Sequence, residues 1–340
     1  MAKDRELDVN MMIFPDLGTF TPNDGLLPCD AASDDIHVCG QGDVRHIAAT
    51  GDGKVEFIGY RDHTLALVNS SLGYPAYYPV RPVLLQQPLK AVLMDLDGTS
   101  VHSETFWIWI IQLSIASLLG NPRFELEEAD LPFVSGHSVS EHLQYCIQKY
   151  CPDRALEAAR TFYFEHTHRE MQAILEGHGR RDAFLPSPGL KEFLLALKAA
   201  DIKIALVTSG LYEKAYPEIY SVFQVLKLGL PEDFYDTIIT AGFPLRQGEA
   251  GTMGELAAKP HPWLYAEASR VGLNIPFEER HHVVGIEDSG AGVCSIRLAG
   301  FTPIGVAGGN IIESGTQALC GYFNQSLDEV LSLSENQRKT

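Results

Sequence analysis

The six cysteines of this 340-residue chain, Cys29, Cys39, Cys146, Cys151, Cys294 and Cys320, form no Cys-x-x-Cys pair and no metal-ligand spacing. That argues against a zinc or iron–sulfur site and against a disulfide scaffold, and it predicts free thiols in a reducing compartment. Positive charge is scarce: 26 Lys+Arg against 44 Asp+Glu leaves a net charge of −18. A nucleic-acid backbone or an anionic membrane surface is therefore disfavoured as a partner, and any anionic ligand must be attracted by a local site. A membrane-spanning run is also missing. The stretch FWIWIIQLSIASLLG (Phe106–Gly120) falls short of the roughly 18 apolar residues a spanning helix needs and contains Gln112, Ser114 and Ser117; it predicts a buried helix. The opening MAKDRELDVNMMIFPD lacks the basic flank and longer apolar run of a signal peptide, so the expected location is cytoplasmic.

What is present changes in texture along the chain. Residues 1 to about 30 are polar, acidic and rich in turn formers, predicting a loosely ordered lead-in. From about residue 36 the runs IHVCG, HIAAT, KVEFIGY and TLALVNS are short and rich in β-branched and aromatic residues, as strands are. Asp52-Gly53 within TGDGK (Thr50–Lys54) suits a hairpin turn, and the GxxxxGK[ST] spacing of a phosphate loop is absent there. GYPAYYPVRPVLLQQP (Gly73–Pro88) reads as an extended, proline-punctuated linker. A β-rich N-terminal extension over 1–88 has too few strands to bury much apolar area alone. It is expected to pack on the core or on a neighbouring subunit.

Beyond residue 88 the pattern becomes α/β. KAVLMDLD, KIALVTS, DTIITA, HHVVGIED and TPIGVAG are apolar runs suited to strands buried on both faces. Helical stretches such as GLKEFLLALKAAD and PWLYAEASRVGL separate them, which predicts a doubly wound, Rossmann-like parallel-sheet core over 89–104 and 186–340. Residues 105–185 contain no comparable strand runs and read as an inserted helical domain.

In such sheets ligands lie outside the carboxyl ends of the strands, and the notable polar residues fall there. Asp95 and Asp97 follow AVLM, Thr208 and Ser209 follow IALV, Glu287 and Asp288 follow VVGI, and Lys259 opens a helix. The two-residue strand period lets Leu96 point into the core while Asp95 and Asp97 turn toward one crevice, and Gly98 permits the sharp exit. Adjacent carboxylates repel, so a divalent cation is implied. Glu287 and Asp288 add hard oxygen ligands, and Mg²⁺ is the natural candidate.

DLDGT (Asp95–Thr99), VTSG (Val207–Gly210), KPHP (Lys259–Pro262) and GIEDSGAG (Gly285–Gly292), in that order, resemble the four motifs of the haloacid-dehalogenase-like (HAD) superfamily of phosphohydrolases, in its β-phosphoglucomutase-like and phosphatase branch. The resemblance spans about Leu89 to Leu331 and leaves residues 1–88 outside. It implies a HAD core with residues 105–185 as a helical cap. It also implies Asp95 as nucleophile, Asp97 as general acid and then base, and Thr208 and Lys259 as groups on the phosphoryl oxygens. Mg²⁺ would be held by Asp95, the Asp97 carbonyl and Asp288, with Glu287 beside it. Gly98, Ser209 and Gly210 would line the phosphate site. His102 stands where relatives usually carry Asp before the Ser-Glu pair, and substrate contact and packing in the flap are both open for it. Gly136 and His137 belong to a loop that faces the active site in relatives.

The function this implies is hydrolysis of a small phosphorylated metabolite by an Mg²⁺-dependent phosphatase through an aspartyl-phosphate, as a monomer or a homo-oligomer. A phosphomutase of the β-phosphoglucomutase type is the first alternative, and a non-catalytic binding protein on a HAD scaffold the second. The dehalogenase branch does not use the second aspartate, and the phosphonatase cap carries a Schiff-base lysine absent here. Phe124–Gln148 contains no Lys or Arg to anchor a second phosphate, which favours hydrolysis over a mutase.

Overall fold

The structure, a computed structural model, describes residues 11–69, 75–133, 139–180, 182–241 and 257–330. These form two compact units. One comprises the described residues up to Ser100, then Ser187–Tyr212 and those from Glu232 onward; the other comprises Val101–Pro186 and Glu213–Pro231.

Ordered structure begins earlier than composition suggests. Strands β1 (Met12–Phe14) and β2 (Gly18–Phe20) form a hairpin and β3 (Leu27–Cys29) follows, all inside the expected loose lead-in. Three residues are too few to display a strand period; burial of Met12, Phe14, Phe20 and Leu26 fixes them instead. β3 edges a five-stranded antiparallel sheet with β4 (His46–Ala49), β5 (Val55–Gly59), β6 (Thr64–Val68) and β7 (Ala76–Pro79). The β4–β5 turn has Gly53 at φ 67°, as the Asp-Gly pair requires. IHVCG supplies only an isolated bridge between Ala31 and Val38. The expected linker contains β7, an edge strand, where proline is tolerated.

Alternation along β5 sends Val55 and Phe57 to one face of this sheet and Ile58 to the other. Ile58 packs with Ala32, Val44, Ile47 and Leu67. Val55 and Phe57 pack with Ala48, Ala66 and Val68 and, from far along the chain, with Val293, Cys294 and Leu298. The N-terminal sheet thus shares a core with the rest of its unit.

The remainder of that unit is built on β8 (Ala91–Asp95), β11 (Lys203–Thr208), β12 (Thr237–Thr240), β13 (Val283–Glu287), β14 (Thr302–Val306) and β15 (Tyr322–Asn324). They form a six-stranded, all-parallel sheet in the order β12-β11-β8-β13-β14-β15. The chain winds outward from β8 through β11 to β12, returns to β13 on the other side of β8, and winds outward again. That reversal makes the sheet doubly wound, with its switch point between β8 and β13.

Among its helices are α4 (Leu190–Ala199), α6 (Trp263–Glu267, continued by a π-turn over Ala268–Gly272) and α7 (Gly290–Ala299). All ten residues of α7 except Ala291 are buried. Ile296 and Ala299 pack with Ala91, Leu93, Ala205 and Val207 of the parallel sheet, while Val293, Cys294 and Leu298 pack with the antiparallel sheet. A helix apolar on all sides needs a layer on each. The buried Arg297 ties the layers further, donating from Nη1 to Arg81 O (2.5 Å) and from Nη2 to Asp16 O.

The second unit holds the short pair β9 (Val101–His102) and β10 (Leu185–Pro186), with helices α1 (Glu104–Leu119), α2 (Val139–Tyr150) and α3 (Leu156–Leu175). Most of α5 (Tyr212–Leu226) also belongs here, although it follows the return to the sheet in sequence. The apolar α1 packs on α2 and α3, and its buried Ser114 is satisfied by donating to Ile110 O at 2.7 Å. No helix among the described residues is long and apolar enough to cross a membrane. Trp107 and Trp109 are half-buried, each beneath a cation: Lys214 Nζ lies 3.7 Å and the Arg180 guanidinium 4.4 Å from the ring centroids.

Because the antiparallel sheet and α7 share one core, Phe57→Ala is expected to destabilise the protein by about 3 to 5 kcal/mol. It should shift the unfolding of the whole first unit as one transition, followed by denaturant titration. Early loss of residues 11–86 alone, with the midpoint of the parallel sheet unchanged, would show that the layers fold independently.

Candidate active site

Register aligns the polar strand ends. Asp95 pairs with Val207 and Met94 with Ile286, so Thr208 and Glu287 flank Asp95 at the carboxyl ends of β11 and β13. Asp95, the last residue of β8, and Leu96 are buried, and Asp97 is exposed.

Lys259 bridges the group. Its ammonium donates to Asp95 Oδ1 (2.5 Å), Glu287 Oε1 (2.6 Å) and Val207 O (3.1 Å), and its side chain is 7% exposed. Lys259 N donates to Ser209 Oγ (3.1 Å), and Gly210 N donates to Thr208 Oγ1 (3.0 Å), which leaves the Thr208 hydroxyl proton to donate elsewhere. Glu287 is saturated: Oε1 also accepts from Tyr265 OH (2.7 Å), and Oε2 accepts from Ser289 N (3.2 Å) and Ser289 Oγ (3.0 Å).

Close approach here depends on missing side chains. A Cβ at Gly98, whose φ is +82°, would overlap the Asp288 carboxylate, and one at Gly292 would overlap that of Glu287. Asp95, Glu287 and Asp288 each place one carboxylate oxygen within 4.8 Å of the others. Three buried carboxylates against one ammonium leave two uncompensated negative charges. Burial and then Glu287 accordingly hold the Asp95 carboxyl well above the usual range despite Lys259 beside it. Burial alone would lower the Lys259 pKa, but Asp95 and Glu287 together outweigh it and raise the pKa.

The structure therefore brings together Asp95, Lys259, Glu287 and Asp288, with Thr208, Ser209, Gly210 and Gly98 at the same strand ends. His102 lies in β9 of the second unit, opposite Leu185. Gly136 and His137 fall outside the described residues. Four contributors were not anticipated. Tyr265 and Ser289 hold Glu287; Asn310 Oδ1 accepts from Gly290 N (2.9 Å) at the start of α7; and Gly309 lies against Asp288, where a Cβ would overlap it. The GGN stretch (Gly308–Asn310), which suggests only a turn, thus closes one side of the acidic pair.

A doubly wound parallel sheet with a lysine-bridged acidic cluster at its switch point defines an α/β protein with its candidate site where such sheets bind ligands. The haloacid dehalogenase-like hydrolase family model matches residues 89–300, and the chain belongs to that family. Among the solved structures that share the fold are three from bacteria. CbbY from Rhodobacter sphaeroides, in complex with phosphate, is 20% identical with a TM-score of 0.52, covering 71% of this chain and 96% of its own. A β-phosphoglucomutase candidate from Thermotoga maritima is 21% identical with a TM-score of 0.53, covering 73% and 99%. A predicted phosphoglycolate phosphatase from Haemophilus somnus is 16% identical with a TM-score of 0.53, covering 72% and 98%. No curated protein matches the chain.

Burial and Glu287 push the Asp288 carboxyl up from 3.8 to about 7 when no cation is bound. Between those values the folded chain keeps a proton that the unfolded chain has released, so stability falls as pH rises from about 4 to 7. Asp288→Asn removes that titration and should flatten the decline, measured by denaturant unfolding of chelator-treated protein across this range. Equal slopes for the two proteins would contradict the placement of Asp288 in a carboxylate-rich, buried site.

Proposed function

We propose that the protein is an Mg²⁺-dependent phosphatase that hydrolyses a small phosphorylated metabolite through an aspartyl-phosphate on Asp95. The observation that carries this is the Lys259 bridge: it fixes Asp95 through Oδ1 and leaves Oδ2 as the attacking atom. In the first step Asp95 Oδ2 bonds to phosphorus as the ester P–O bond breaks, and Asp97 gives its proton to the leaving oxygen. In the second, Asp97 takes a proton from water, the water oxygen bonds to phosphorus, and the Asp95–phosphorus bond breaks to release phosphate. The Thr208 hydroxyl donates to the phosphoryl oxygens, the Lys259 ammonium neutralises their charge while restraining Asp95, and Ser209, Gly210 and Gly98 line their site.

The donor set fits a hard divalent cation, since all the candidate ligands are oxygens and the cluster lacks two positive charges. Asp95, the Asp97 carbonyl and Asp288 would hold Mg²⁺, which when bound supplies positive charge for the oxygens of the transition state. Glu287, with both oxygens already accepting from Lys259, Tyr265 and Ser289, serves beside that site as the second carboxylate of Lys259. Hydrolysis is preferred to a mutase because Phe124–Gln148 offers no cation for a second phosphate.

Asp95→Asn should reduce turnover of p-nitrophenyl phosphate with Mg²⁺ by at least about a thousandfold, roughly 4 kcal/mol of transition-state stabilisation. Its melting temperature should not fall below that of the wild type, because the amide removes one of the crowded buried charges. Near-native Mg²⁺-dependent turnover in this variant would remove Asp95 from the mechanism.

A further inference from the structure

The segment that carries Lys259 has limited backbone means of holding itself. Pro260 and Pro262 have no N–H to donate, and His261 N reaches only the local Ala258 O at 3.1 Å. Side chains from other layers hold it. Ser295 Oγ, on α7, donates to His261 O (2.6 Å). Tyr78 OH, on β7 of the N-terminal sheet, lies 2.8 Å from His261 Nδ1. The Tyr78 ring stands edge-on to His261 and Trp263, with centroids 5.8 Å from His261 and 6.0 Å from Trp263.

In the hydrogen bond between the Tyr78 hydroxyl and His261 Nδ1 either group can be the donor, according to the imidazole tautomer. Burial lowers the pKa of His261, which favours the neutral ring. His261 Nε2 is buried without a protein partner among the described residues. The Tyr78 bond is therefore what anchors this imidazole. Strand alternation explains why Tyr78 is the one available: Tyr77 turns to the opposite face, where it donates to Asp34.

We propose that Tyr78 is a positioning residue for the reaction. It grips the residues two and four past Lys259 and so fixes the turn from which the ammonium reaches Asp95 and Glu287. Residues 1–88 lie outside the region matched by the family model, so this assigns the N-terminal sheet a part in the active site that the hydrolase core does not itself supply. The inference rests on Lys259 being the cation of the proposed phosphatase.

The test compares full-length Tyr78→Phe, which loses only the hydroxyl, with Val80→Ala, which loses buried apolar volume two residues further on. Two readouts are taken: p-nitrophenyl phosphate turnover with Mg²⁺, and the ¹⁵Nζ–¹H resonance of the Lys259 ammonium, assigned by its loss in Lys259→Ala. Tyr78→Phe should lower kcat about tenfold with KM within about twofold, and should displace the Lys259 resonance. Val80→Ala should lower the melting temperature while leaving kcat and that resonance in place. An unmoved resonance with native kcat in Tyr78→Phe, or equal displacement in Val80→Ala, overturns the inference. Should the wild type not turn over p-nitrophenyl phosphate at all, the phosphatase proposal fails separately. A resonance displaced by Tyr78→Phe alone would then still support the positioning role, and an undisplaced one would overturn it.

Discussion

One buried ammonium holds the site together. Lys259 is surrounded by Asp95, Glu287 and a backbone carbonyl, and its side chain is almost closed to water. Burying such charges is expensive, and the attraction between them offsets the cost only when geometry is tight and the remaining lone pairs are satisfied. Around Glu287 that condition is met by Tyr265 and Ser289. Around Asp95 and Asp288 it is not, and their pKa values, both raised, mark the deficit. A site built with two negative charges in excess is unfavourable alone and favourable for a divalent cation, so ground-state discomfort and capacity for a cation have one cause.

The layers of the first unit follow from this constraint. β8 must sit in the middle of the parallel sheet for Asp95 to have neighbours on both sides, and α7 must begin directly after Asp288 for Ser289 to reach back to Glu287. α7 then carries apolar residues all round, which obliges the chain to cover its far side. The antiparallel sheet is that cover, and burying Val293, Cys294 and Leu298 is what makes it more than an appendage. Once placed there, its edge strand β7 reaches His261 and Trp263, so a packing requirement brings residues 76–79 to the segment bearing Lys259.

Much of this could be read from the sequence, for reasons that also explain what could not. AVLMD, IALVT, TIIT, VVGIE and TPIGV are continuous apolar runs, and strands buried on both faces leave that trace; each appears in the parallel sheet. Their polar ends, Asp95, Thr208 and Glu287, converge because parallel topology forces all carboxyl ends to one side. By contrast β1, β2 and β7 are three or four residues long, and β7 is punctuated by prolines, so no period could develop in them. Gly309 and Asn310 carry no local signal either. Their role comes from a loop after β14 folding back on residues 288–290, a contact that only tertiary structure creates. Tyr265 looks from its helix like an ordinary core aromatic, and only its hydroxyl on Glu287 distinguishes it.

The proposed hydrolysis requires that the carboxylate restrained by Lys259 become covalently phosphorylated. Asp97→Asn, which keeps the nucleophile but removes the group that activates water, should accumulate that intermediate when mixed with p-nitrophenyl phosphate and Mg²⁺ and quenched in acid. Peptide mapping by mass spectrometry is predicted to find a phosphoryl group on Asp95, released by hydroxylamine as an acyl phosphate is. Sustained release of phosphate with Asp95 unmodified at every quench time, or the phosphoryl group on any other residue, would contradict the account.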